Sequence, residues 1–453
     1  MRRINTDRLI NGSISKSIFV LTLPLLVRAM LQSTQTIIDI FWVGKLGPAS
    51  IAAVAMAATV IMAFFPALIG IGTGAAAMVS RAIGAKNQQA ADNAATQSII
   101  IAFLTALFLC IVGLIFSKPL LVLLQAKAEV LTEGHLYLKI IFLGGITTTL
   151  LFLGSAILQG AGDTLVPMCI MGFCVLANIV LDPILIFGLF GIPKLGVSGA
   201  ALATIIADAL GAIILLHILF KGRSHIHIRF DKFKINPAVM WEIMKIGIPS
   251  SVQMFFRNLM GMLLMGITAS FGTCAVAAYG IGMRLRMIIL LPAFSFGTAA
   301  ATLVGQNMGA KKPLRAQKCA WQAALINAFI MTFVGILFFL FSDNIIGLFN
   351  SNQEVIAAGG HYLRITSLFF PAIAFGVVLG RSMSGAGDTI TPMVITIFCL
   401  CGIQIPLAIG LSRFSNQGLS GIWWAIAAAS LIQGILAIIW FKAGRWKKRI
   451  VNF

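Results

Sequence analysis

The chain has 453 residues, 59% hydrophobic and only 10% charged, with 33 Lys and Arg against 13 Asp and Glu. Soluble domains carry about 45–50% apolar and about 25% charged residues, so this composition excludes a soluble enzyme, a coiled coil, a disordered chain and a secreted disulfide scaffold. At about 20 apolar residues per bilayer-crossing helix, it allows about a dozen spans.

Taken in chain order, the apolar runs predict helical spans over 14–43, 51–75, 95–116, 135–156, 165–187 and 196–220. A basic segment at 221–237 follows, then six more spans over 242–270, 276–300, 320–341, 361–383, 390–412 and 419–442. The first run has no small-residue cleavage site and continues into a full span, so it is not read as a signal peptide. Only short segments stand between the spans, which leaves no room for a soluble catalytic domain, and the protein is not expected to be an enzyme. The seven cysteines lie in apolar runs with no CxxC, and the five histidines are scattered. Neither a disulfide framework nor a metal cluster is expected, and no organic cofactor.

The chain repeats itself. Gly160-Ala-Gly-Asp-Thr-Leu-Val-Pro-Met168 recurs as Gly385-Ala-Gly-Asp-Thr-Ile-Thr-Pro-Met393, an offset of 225 residues. The same offset carries Gly84-Ala-Lys86 onto Gly309-Ala-Lys311, Tyr137-Leu138 onto Tyr362-Leu363 and Pro24 onto Pro249. Two six-span units, each returning the chain to its starting side, make a parallel repeat about an axis along the membrane normal. The fold class is therefore an all-α polytopic membrane protein with twelve transmembrane helices in two six-helix lobes. The lobes are expected at 1–220 and 238–453, with 221–237 as a basic cytoplasmic linker. Two bundles around a cleft suit a secondary transporter; no GxxxxGK[ST] nucleotide loop is present.

Lys and Arg gather before span 1, in the segments between spans 2 and 3, 6 and 7, and 8 and 9, and at the C-terminus. Cytoplasmic loops retain basic residues, so both termini are expected inside. The positive charge is topological and does not signal nucleic acid.

Ionisable groups at membrane depth are costly and mark function by default. In span 1, Arg28, Gln32, Gln35 and Asp39 recur at spacings of 4, 3 and 4 and share one helical face. Span 5 holds Asn178 and Asp182 just before Pro183, which frees a carbonyl one turn earlier. Span 6 adds Thr204 and Asp208, again one turn apart. The second half has Gln253, Arg257, Arg284, Arg286, Gln404 and Gln433 at depth but no carboxylate. Asp39, Asn178, Asp182 and Thr204 are candidates for a proton or cation coupling site. Paired buried carboxylates suit a proton, and an all-oxygen set suits sodium. Arg28, Gln32, Gln35, Asp208, Gln253, Arg257, Arg284 and Arg286 are candidates to line the cleft and meet substrate. Asp163 and Asp388 sit on the repeated turns and read as helix caps.

These motifs resemble the multidrug and toxic compound extrusion transporters. The resemblance rests on the two Gly-Ala-Gly-Asp-Thr segments, on Val304-Gly-Gln-Asn-Met-Gly-Ala310 with Val79-Ser-Arg-Ala-Ile-Gly-Ala85, and on Asp39-Ile-Phe-Trp-Val-Gly44. Asn178-Ile-Val-Leu-Asp-Pro183 is similar to the branch named for the DNA-damage-inducible protein F. That likeness implies Asp39, Asn178 and Asp182 as coupling residues, with Thr204 less closely aligned. It implies efflux of amphipathic, often cationic compounds in exchange for protons or sodium, by a monomer in the bacterial inner membrane. A flippase or exporter of lipid-linked oligosaccharide or a related anionic metabolite is the alternative, since the arginines suit a pyrophosphate.

Overall fold

The computed structural model describes residues 6–222, 224–228, 234–415 and 417–449. Among these the chain is helical throughout. In order run α1 (Thr6–Asn11), α2 (Ile14–Gly44), α3 (Pro48–Gly84), α4 (Gln88–Leu123), α5 (Ala128–Leu143), α6 (Gly145–Gly160), α7 (Leu165–Phe187) and α8 (Val197–Phe220). Then come α9 (Pro237–Ala269), α10 (Thr273–Gly309), α11 (Pro313–Leu340), α12 (Ser342–Gly347), α13 (Gln353–Ser367), α14 (Phe370–Gly385), α15 (Ile390–Ile397), α16 (Ile405–Arg413) and α17 (Leu419–Ala443). A π-helical segment, Phe398–Gln404, joins α15 to α16. Part of the expected linker, Arg223 and residues 229–233, lies outside the described residues.

Ten of these helices, counting α15, the π segment and α16 as one, are long and apolar enough to cross a bilayer. Two bent pairs, α5 with α6 at 50° and α13 with α14 at 56°, bring the number to twelve. The fourth and tenth spans are thus broken helices. Gly144-Gly145 stands at the first break, and Pro371 lies in the first turn of the helix after the second. Both residue types weaken the continuous backbone ladder.

The repeat shows in the backbone. The offset of 225 carries α3 onto α10 end to end, and the first residues of α4, α5, α6 and α7 onto those of α11, α13, α14 and α15. Lys86 and Lys311, just past α3 and α10, share a left-handed φ of 57°, and Gly162 and Gly387 share a φ of 89°. Two non-glycine residues held in the same disfavoured conformation mark the same turn built twice. The register slips only before the last span, where the loop into α17 is shorter than the one into α8 and Gly418 takes the role of Gly196.

The chain forms two compact units, one from Leu23–Ser251 and one joining Asp7–Thr22 to the chain from Val252 onward. The changeovers in α2 and α9 fall beside Pro24 and Pro249, where each helix lacks a backbone donor. In the first unit, Ala57, Val60, Leu121, Leu138 and Phe142 form one buried cluster, and Val43, Ile186 and Ala200 another. In the second, Leu264, Tyr279, Leu285, Tyr362 and Trp423 belong to one buried cluster, and Ile289, Met331 and Phe370 to another.

Candidate functional site

Helices α7 and α8 pack in close contact in the first unit. Two glycines permit it. A Cβ on Gly199 would lie 2.5 Å from the Leu185 carbonyl oxygen, and one on Gly211 would lie 2.4 Å from Cys174 Sγ. Val43 of α2 joins Ile186 and Ala200 at one end of this seam, all buried. Asp39 precedes Val43 by one turn, Asp182 precedes Ile186 by one turn, and Thr204 follows Ala200 by one turn. Helix periodicity therefore brings all three polar residues to one level.

Asp39 meets Asp182 and Asn178 directly. Asn178 Nδ2 donates to Asp182 Oδ1 at 3.3 Å, and both residues are fully buried. Asp39 Oδ1, Asn178 Oδ1 and Asp182 Oδ2 are buried without a hydrogen-bond partner. Three buried acceptor oxygens on residues in mutual contact, two of them carboxylates, call for a proton or a cation among them.

The other candidates divide. Asp208 is buried, accepts from Thr148 Oγ1 at 2.7 Å, and lies within electrostatic range of Asp39 and of Cys174. Arg28 also neighbours Cys174. Thr204 turns its hydroxyl to the Ala200 carbonyl at 3.1 Å, so its donor is spent within α8. On the α2 face Gln35 is buried, Arg28 and Asp39 are half-buried and Gln32 is exposed. Two neighbours emerge that sequence reasoning did not place here. Thr148 stands in an unremarkable run of threonines. Tyr137 served only as a marker of the repeat, yet it feels the charges of Asp39 and Asp182 and packs against the Val43–Ile186 cluster.

The second unit has a different interior. Gln253 Nε2 donates to Thr396 Oγ1 at 2.7 Å and to the Pro392 carbonyl at 3.1 Å, and Gln433 Nε2 donates to the same Thr396 hydroxyl at 3.1 Å. Gln253 is thus engaged in tying α9, α15 and α17 together. Gln404 is buried at the end of the π segment. Arg257 is half-buried and its charged neighbours are Arg286 and Arg381. Arg381, which sequence reasoning did not single out at the end of its span, donates to Thr298 Oγ1 at 3.0 Å and lies 5.0 Å over the Phe294 ring. Arg284 is exposed. Arg286 neighbours Tyr279 and Tyr362.

The repeated turns cap helices. Asp163 Oδ1 accepts from the Val166 amide at 3.2 Å; Asp388 accepts from the Thr391 amide at 3.3 Å and from its hydroxyl at 2.8 Å. Burial raises the Asp163 carboxyl above its ordinary value.

Twelve apolar spans in two repeated bundles, with polar side chains gathered between helices in one of them, define a polytopic membrane transporter. The MatE family model matches residues 24–184 and again 249–409, one copy in each half. The chain belongs to this family. It is 28% identical over 438 residues to the probable multidrug resistance protein NorM of Thermotoga maritima, covering 97% of this chain and 94% of that protein. It is 26% identical over 435 residues to the FAD transporter of Shewanella oneidensis, covering 94% of each. Among solved structures, it resembles the outward-facing conformation of a multidrug resistance MATE family transporter of the MOP superfamily with a TM-score of 0.92. The identity there is 25%, over 99% of this chain and 100% of the other.

Proposed function

We propose that the protein is an antiporter that exports amphipathic organic compounds while protons or sodium ions enter, with Asp39, Asn178 and Asp182 as its coupling site. The carrying observation is the set of three unpartnered, buried acceptor oxygens on those residues. A proton shared by the two carboxylates, or a sodium ion held by the three oxygens, supplies the missing partner. The names of the multidrug relatives support export as the direction. Basic residues in alternate loops support a multi-pass protein of the bacterial inner membrane with both termini in the cytoplasm. Both lobes come from one chain, so a monomer suffices, and no covalent chemistry is required of it. The likeness of Asn178–Pro183 to the DNA-damage-inducible-protein-F-like branch supports a coupling site in the first lobe.

Purified protein in proteoliposomes with an imposed proton or sodium gradient, run against cationic, zwitterionic and anionic compounds, tests this. One gradient is expected to drive transport, and Asp39→Asn to abolish that drive. Transport that ignores both gradients would sink the antiport reading.

A further inference from the structure

Helices α4 and α11 begin on the same repeated turn, yet the two beginnings differ in charge. The offset of 225 carries Asn87, Asp92 and Asn93 onto Lys312, Gln317 and Lys318, and Ala90 onto Arg315. In the first unit the chain's own linker lies on this stretch. The His227 amide donates to Asp92 Oδ1 at 2.8 Å, Gln88 Nε2 donates to the His225 carbonyl at 2.7 Å, and Ile226 and Ile228 are buried. In the second unit the segment after α17 folds back in the same way, with Lys447 Nζ donating to Gln317 Oε1 at 2.6 Å. What it brings is more positive charge. Lys311–Lys318 holds four basic residues and Lys442–Arg449 five, and neither stretch holds an acid. That hydrogen bond holds the two basic segments side by side.

The fold fixes which way these residues face. Gly444, at a φ of 75°, turns the chain back at the end of α17, and Arg445–Lys448 follow as one 3₁₀ turn. Trp446 pins that turn inward: its Nε1 donates to the Phe441 carbonyl at 2.9 Å, and its buried ring stacks on Phe441 with centroids 4.8 Å apart. Phe441 in turn meets Trp321 of α11 edge-on at 5.7 Å. Residues three apart in a 3₁₀ turn share a face, so Arg445 and Lys448 stand together, both exposed. Exposed stripes on the two helices run toward this corner. On α11 Leu314, Lys318, Leu325, Phe329 and Phe333 recur at helical spacing, and on α17 Leu431, Ile435, Ile439 and Lys442 do. An exposed apolar stripe on a spanning helix faces hydrocarbon, and a lysine near its end reaches out to the headgroups. Among the described residues, Lys318, Lys442, Arg445 and Lys448 are in no hydrogen bond or ion pair. Asp7, in the short α1 that Arg315 ties to α11 through the Gly12 carbonyl, is one acid against nine basic residues. Asp388 is buried on its turn, and Asp343 and Glu354 lie beyond the far end of α11.

We propose that Lys318, Lys442, Arg445 and Lys448 form a basic patch that binds the headgroups of anionic phospholipids where α11 and α17 leave the bilayer. The occupant is a lipid because two of the four residues stand on stripes that face hydrocarbon, along which acyl chains lie. A phosphate diester without a cationic substituent, as in phosphatidylglycerol, complements the patch; a choline headgroup brings a cation that the patch repels. The first unit has no such patch at the matching positions, where Asp92 and Asn93 stand and the linker bonds to Asp92.

The experiment titrates full-length, delipidated protein in detergent with phosphatidylglycerol or with phosphatidylcholine of the same acyl chains, and counts bound lipid by native mass spectrometry. Phosphatidylglycerol is expected to bind more tightly by about fivefold or more. Lys318→Gln and Arg445→Gln should each weaken it about fivefold, and the double variant should show no preference between the lipids. Lys318→Arg keeps the preference, and so does Lys118→Gln, which removes an exposed lysine of the first unit. Equal binding of the two lipids by the unmutated protein overturns the proposal. Equal losses from Lys118→Gln and Lys318→Gln also overturn it, since charge would then attract lipid anywhere on the molecule. Glycerol phosphate carries the anion without the chains; it should leave bound phosphatidylglycerol in place at equal concentration, and displacement overturns the lipid as occupant. Thermal midpoints read the same contact without counting lipids. The lipid-free midpoints of all variants are expected to coincide, because only exposed side chains change. Phosphatidylglycerol should raise the midpoint of the unmutated protein and of Lys318→Arg, and raise that of the double variant much less; an equal rise in all three overturns the proposal.

Discussion

The tyrosine pocket of the first unit and its copy in the second share backbone and register but not chemistry. Around Tyr137 the chain spends two carboxylates and an amide; around Tyr362 the same positions are Leu264, Leu407 and Ile403, and the charge is Arg286. A duplicated scaffold has one set of helix lengths, turns and close approaches to satisfy, and these coincide at Lys86 and Lys311 and at Gly162 and Gly387. Side chains at depth that no turn or close approach constrains are freer to diverge. The same backbone thus holds acceptor oxygens without partners in one unit and leucine, isoleucine and arginine at the matching positions in the other.

Asp39→Asn or Asp182→Asn attacks this contrast most directly. Each is expected to lower gradient-driven export by about 100-fold or more while leaving expression near normal, since the asparagine fills the same space and a shared proton is no longer possible. Linkage adds a stricter requirement. If protons couple to substrate, substrate affinity must change with pH by the same factor by which substrate changes proton affinity. Binding measured from pH 5 to 9 should therefore slope in the unmutated protein and flatten in Asp39→Asn. A flat profile in both would move the assignment to sodium.

The next effect is on packing beneath the acids. Gly199→Ala would place a methyl group 2.5 Å from the backbone oxygen of Leu185, which cannot rotate away. It should cost roughly 1–3 kcal/mol in thermal or denaturant unfolding. Gly211→Ala meets the Cys174 side chain instead, which can turn aside, and should cost less. The order of the two losses, more than their size, tests whether the α7–α8 seam is set by backbone contact. Thr148→Val then removes the donor to the Asp208 carboxylate at nearly constant volume. Leaving that group unpartnered should cost on the order of 1–3 kcal/mol. Ser430→Ala, at the corresponding place in the last span, should cost less, because that hydroxyl only closes on the Ile426 carbonyl of its own helix.

Much of this was legible in the sequence. Twelve apolar runs, the offset of 225 and the Asn178–Asp182 pair follow from hydropathy, identity and helical spacing, and the structure brings Asp39 to that pair. The helix breaks, the contact of Arg381, and Thr148 and Tyr137 as neighbours of the acids were not. The bends at Gly144-Gly145 and near Pro371 lie inside runs whose hydropathy is uninterrupted, so periodicity gave no signal of them. Arg381 stood near a span end, where a long side chain is read as reaching for the interface; its contact with Thr298 depends on how α14 lies on α10. Thr204 shows how much of a hydroxyl's bonding a sequence leaves open, for donating to the Ala200 carbonyl still leaves its oxygen free to accept. Spacing put it at the right level, but a hydroxyl in a helix has a carbonyl one turn back to satisfy it, and no sequence pattern tells which partner is chosen.

The smallest expected effect concerns the repeated caps. Burial raises the Asp163 carboxyl above its ordinary value of 3.8, so its protonated form is favoured in the folded protein. Its contribution to stability is then fully present below the unfolded value and is lost as pH rises through the higher folded one. The hydrogen bond from the Val166 amide, which the carboxylate accepts, works against this and limits the size of the effect. Asp163→Asn keeps an acceptor for Val166 and removes the titration. Thermal midpoints of this variant should therefore decline less than those of the unmutated protein as pH rises from about 4 toward neutrality. Asp163→Ala removes the acceptor as well and should lose about 1 kcal/mol of cap energy at every pH. Asp388→Ala in the second lobe should lose at least as much, since it breaks both the amide and the hydroxyl contact to Thr391. An Asp163→Asn profile parallel to that of the unmutated protein would show that the aspartate acts there as a cap alone.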